Sequence, residues 1–105
     1  MEINIISVGK VKERYIQEGI DEFIKRLRSY TRINIIEITD ERIPANPSLK
    51  EQESIKEREG ERIMGSLAAR SYVIAMDVKG KPMSSEGLAR SIQDLQISGY
   101  SSISF

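Results

Sequence analysis

The 105 residues, 39% hydrophobic and 30% charged, fit one small domain over 1–105 and leave little room for a second. Sixteen Lys plus Arg balance sixteen Asp plus Glu, so no overall field draws the molecule to nucleic acid or membrane, and any such attraction is local. Cys and His are both absent, which excludes thiol nucleophiles, disulfides, imidazole acid/base chemistry and the usual zinc ligands.

In chain order, the β-branched run 2–8 stops at Gly9 and predicts a mostly buried first strand. Ile16, Ile20, Phe23, Leu27 and Tyr30 follow at steps of four and three, one face of a helix. Four isoleucines crowded between Ile33 and Ile38 predict a second strand from about Arg32. Pro44 and Pro47 mark a surface loop, after which Ser48 and Glu51 form a capping box that starts a second helix. That helix is almost wholly charged from Lys50 to Arg62, with Ile55, Ile63 and Leu67 as a sparse apolar stripe, so a surface position is expected.

Residues 71–78 predict a third strand, broken by a turn at 79–82. Ser84 or Ser85 caps a third helix carrying Leu88, Ile92 and Leu95, and Ile103 with Phe105 begins a fourth strand. Strands alternating with helices give an α/β fold, a mainly parallel sheet with helices on both faces. The sequence stops on an apolar aromatic residue in that last strand, so the expectation is a chain cut there, with one region of the sheet uncovered and prone to association. No apolar run nears the roughly 18 residues of a membrane span, and the N-terminus lacks a signal-peptide layout, which points to the cytoplasm.

Each candidate for chemistry has a plain structural reading beside it. Gly9 and Lys10 lie between strand and helix, where a phosphate is often cradled, but the glycine and hydroxyl of a Walker motif are replaced by Asn4 and Val11, so an ordinary turn is favoured. Residues 1–32 hold seven bases against five acids; Lys10, Lys12 and Arg14 are candidates for RNA phosphates, against a solvated mixed-charge helix face. Asp77 ends the third strand, where ligand-facing residues of α/β folds lie, and a carboxylate there equally serves as acceptor for the next turn. Met76 reads as core. No spacing singles out a catalytic base.

The runs INIISVGKVKERYIQEGIDEFIKRLRSY, INIIEITDE, IKEREGERIM and YVIAMDVKGKPMSSEGLA resemble the ribosomal RNA large subunit methyltransferase H family, one of the knotted SPOUT methyltransferases. KEREGER at 56–62 and DVKGKP at 77–82 are the most specific pieces. The resemblance implies a homodimeric, metal-independent enzyme that moves a methyl group from S-adenosylmethionine to N3 of a pseudouridine in large-subunit rRNA on the ribosome. It implies a cofactor contact at Met76, with Asp77 and Gly80 shaping the same pocket. The family continues into a glycine-rich cofactor loop and a trefoil knot, so the expectation is a SPOUT-like N-terminal portion lacking both and inactive alone. The rival expectation is a catalytically silent α/β module that self-associates.

Overall fold

The computed structural model describes residues 1–105 as β1 (Glu2–Val8), α1 (Arg14–Leu27), β2 (Arg32–Ile38), α2 (Leu49–Ser66), β3 (Tyr72–Val73), α3 (Ser85–Ile97) and β4 (Ser102–Ser104). The strands form one sheet in the order β2-β1-β4-β3, and every pairing is parallel. Right-handed crossovers then place α1 and α3 on one face and α2 on the other, the two-sided α/β arrangement expected from the alternation of elements.

Register follows from a repeated tetrapeptide. Ile-Asn-Ile-Ile occurs at 3–6 and again at 33–36, and the two copies pair residue for residue, Ile3 with Ile33 and Asn4 with Asn34. Because strand side chains alternate, Ile3, Ile5, Ile33, Ile35, Ile103 and Phe105 share the α1/α3 face, and Asn4, Asn34, Ser102 and Ser104 share the α2 face. β4 is flanked on both edges, and Ile103 and Ser104 are wholly buried.

The polar half of the α2 face is internally satisfied. Asn34 Nδ2 donates to Glu2 Oε1 at 2.8 Å and to Asn4 Oδ1 at 2.9 Å, and Asn4 Nδ2 donates to Ser102 Oγ at 3.1 Å. Ser102 Oγ donates onward to Ser71 Oγ at 3.3 Å, which shares a 2.6 Å hydrogen bond with Ser104 Oγ. The ladder runs from β2 through β1 and β4 to the entrance of β3, so its buried members keep the partners that burial requires.

α2 begins as expected, with Ser48 Oγ accepting from the Glu51 amide and the Glu51 carboxylate accepting from the Ser48 amide. It is charged and largely exposed, but Ile55 is buried against the sheet. Ser84, not Ser85, caps α3, its Oγ accepting from the Gly87 amide at 3.0 Å. Several expectations are corrected: β1, expected to be mostly buried, buries only Asn4, and Met76, expected in the core, is 80% exposed. The third strand covers Tyr72–Val73 rather than 71–78, because β4 offers a partner of only three residues; the Ile74 amide still reaches Ser104 O, and the chain beyond it is unpaired. Tyr30 lies past the end of α1 and is 83% exposed, outside the helical stripe.

Candidate functional site

The sheet presents two concave regions, which between them hold Met76, Lys10 and Lys12 of the residues singled out by sequence. The first is an open apolar groove of about 690 Å³ on the α1/α3 face. Ile3, Ile5 and Ile33 form its floor, Leu27 and Tyr30 one wall, and Leu88 and Ile92 of α3 the other, with Met76 and Phe105 at the end nearer the carboxyl termini of the strands. Ile5 and Ile35 remain about 40% exposed, so this sheet face is uncovered between its helices, as the sequence reading anticipates.

Met76, Asp77 and Gly80 lie together in the connection from β3 to α3, and their positions differ in kind. Met76 faces the groove and is 80% exposed. Asp77 is engaged by its own turn: Oδ1 accepts from the Lys79 amide at 2.8 Å, and its carbonyl accepts from the Gly80 amide at 2.9 Å. A Cβ on residue 80 would stand 2.9 Å from that carbonyl oxygen, so the turn closes this tightly only with glycine. Asp77 and Gly80 thus set the course of the loop that carries Met76.

The second region is a crevice of about 430 Å³ beyond the carboxyl ends of β1 and β2. From β1 the chain turns toward α1, and from β2 toward α2 on the opposite face, so the two exits diverge and leave a gap, the topological switch point at which open α/β sheets bind ligands. Lys10, Lys12, Glu37, Thr39 and Asp40 line it with Gly9. Gly9 has φ +79° and donates its amide to Ile38 O at 2.8 Å, so that amide extends the β1–β2 ladder rather than cradling an anion. Arg14 falls outside the group: its Nε pairs with Glu18 Oε1 at 3.0 Å on the exposed surface of α1.

The KEREGER run of α2 grips the segment leaving β2. Arg58 Nε meets Glu41 Oε1 at 2.9 Å, Arg62 Nη2 meets Glu41 Oε2 at 3.3 Å, and Arg62 Nη1 donates to Thr39 O at 2.9 Å. Glu59 Oε2 accepts from the Glu41 amide at 2.9 Å. Three side chains one helical turn apart or less thereby hold residues 39–41, which form one side of the crevice. The sequence reading places this charged helix on the surface; only the exit path of β2 along α2 reveals the clamp.

Against known proteins, a family model described as Predicted SPOUT methyltransferase matches residues 1–105. Curated relatives named Ribosomal RNA large subunit methyltransferase H match over all 105 residues, at 60% identity in Halothermothrix orenii and 50% in both Clostridium acetobutylicum and Clostridioides difficile. The chain spans 66% of the length of each of these relatives.

Proposed function

The chain belongs to the SPOUT methyltransferase family, and on that premise we propose that it serves S-adenosylmethionine-dependent methylation of N3 of a pseudouridine in large-subunit rRNA, as part of a cytoplasmic homodimer. The observation that carries the reading is the match over all 105 residues to relatives named for rRNA methylation, joined to a Met76 that projects into an apolar groove. A thioether packs adaptably against a flat heteroaromatic ring, and Met76 with Leu88 and Phe105 offers apolar surface of that kind for adenine. The polar side chains and groups of the groove are few, Thr31, Gln96, the Tyr30 hydroxyl and the Met1 amine, so its lining fits the adenine part of the cofactor better than the ribose and amino acid ends. Asp77 and Gly80 act on the cofactor by placing Met76. Bound, the cofactor supplies an electrophilic sulfonium methyl group; the protein's residues bind it and exclude water from its apolar side. Lys10 and Lys12 attract the rRNA backbone, whereas the Arg14 charge is offset by Glu18.

Calorimetric titration of S-adenosylmethionine into the chain and into Met76→Ala tests this. Saturable binding that weakens about tenfold in the variant is expected, from the loss of a buried methionine contact. Heats that do not saturate, or equal affinities, would overturn the assignment. The uncovered sheet face favours a second reading, a catalytically silent module that pairs with a second copy of itself through that groove. A stable dimer in sedimentation together with no cofactor binding would select it.

A further inference from the structure

The crevice between β1 and β2 carries a mixture of charges that a simple anion site would not. Lys10 and Lys12 share it with Glu37 and Asp40, yet the ion pairs of the chain are all made elsewhere, and neither lysine closes on either carboxylate. The two carboxylates offset part of the attraction that the two ammonium groups exert on a free inorganic anion. A ligand that suits both signs must combine an anionic group with hydrogen-bond donors. Asp40 is the carboxylate that lies over the β1 turn: its Cγ is 3.6 Å from where a Cβ on Gly9 would stand, ordinary contact distance. The clamp from Arg58, Glu59 and Arg62 fixes the backbone on either side of it.

We propose that this crevice is a ribose-phosphate subsite for RNA, in which Lys10 and Lys12 take a backbone phosphate and the Asp40 carboxylate accepts a hydrogen bond from the adjacent ribose 2′-hydroxyl. The 2′-hydroxyl is the group by which a protein tells RNA from DNA, and a carboxylate acceptor reads it directly. The inference rests on the RNA-directed reading above and adds to it the discrimination between sugars and the residue that makes it.

The test is fluorescence anisotropy of the chain with a labelled single-stranded oligoribonucleotide and the oligodeoxyribonucleotide of matching sequence, uracil replacing thymine throughout. Wild type should bind the RNA about tenfold more tightly, the ratio that one charge-assisted hydrogen bond supplies. Asp40→Ala should bring the ratio to about one without weakening DNA binding, and Asp40→Asn, which keeps an acceptor oxygen, should restore part of it. Lys10→Ala with Lys12→Ala should weaken both ligands alike and flatten the salt dependence. Far-UV circular dichroism of each variant monitors the fold. RNA binding whose preference over DNA survives Asp40→Ala would overturn the subsite and leave the RNA-directed reading standing. Absence of RNA binding by wild type would overturn both, and displacement of the RNA by an equal concentration of uridine monophosphate would assign the crevice to a free nucleotide and overturn the RNA subsite.

Discussion

Asn4 is the polar residue on which the centre of the sheet turns, and replacing it with Ala gives a sharp test of the packing. The residue is 2% exposed, donates to Ser102 at 3.1 Å and accepts from Asn34 at 2.9 Å. Asn4→Ala deletes both hydrogen bonds. Asn34 keeps Glu2 at 2.8 Å, and Ser102 keeps Ser71 at 3.3 Å, so neither neighbour is fully stranded. At about 1 kcal/mol of net stability per hydrogen bond, plus the small void left behind, the loss comes to about 2–3 kcal/mol. That is a large share of the roughly 5–15 kcal/mol typical of a domain. Urea denaturation followed by far-UV circular dichroism should show a lower midpoint with an unchanged slope, and the thermal midpoint should fall by roughly 8–24 °C. Asn34→Ala, at the half-buried end of the ladder, should lose less. A change below about 0.5 kcal/mol for Asn4→Ala would refute the claim that the ladder holds the sheet.

Ser48→Ala removes the acceptor of the α2 capping box and should lower stability by about 1 kcal/mol in the same assay; a neutral result would mean that tertiary contacts alone hold the start of that helix. The Glu41 clamp should prove modest. The side chains of Arg58 and Arg62 are 56% and 38% exposed, so water screens both, and a double-mutant cycle between Glu41→Gln and Arg58→Gln should give at most about 1 kcal/mol of coupling, smaller still in 1 M salt as roughly expected of surface pairs. Coupling of about 2 kcal/mol or more, insensitive to salt, would contradict that.

Local signals were legible wherever a residue's neighbours in sequence decide its structure. The isoleucine runs of β1 and β2 reproduce their observed bounds, and the Ser48–Glu51 spacing marks the start of α2, because β-branched packing and capping act within a few residues. β3 was over-extended for the opposite reason: 71–78 has the composition of a strand, but a strand exists only as far as its partner, and β4 is short. Val78 is consequently fully exposed despite its apolar character. The Ile-Asn-Ile-Ile repeat carries register as well as strand propensity: two polar residues at matched places in apolar strands pair with each other across β1 and β2. Met76 read as core from its surroundings, and only the family resemblance suggested a ligand there, since periodicity does not distinguish a packed side chain from one facing a groove. The β1/β2 crevice was half legible: Lys10 and Lys12 stood out as basic, but Asp40 joins them only through the divergence of two loops, which depends on strand order.

The pairing of Glu2 with Ser102 has a consequence for how the molecule is made. β1 acquires β2 on one side once residue 38 has emerged from the ribosome, but its other side waits for residue 102. At roughly 5–20 residues per second that interval lasts several seconds, during which a two-strand ribbon presents a row of unsatisfied amides and carbonyls along β1. The nascent protein is therefore a transient template for strand addition. The charge carried by α1 and α2 works against such addition before there is a finished sheet for those helices to cover.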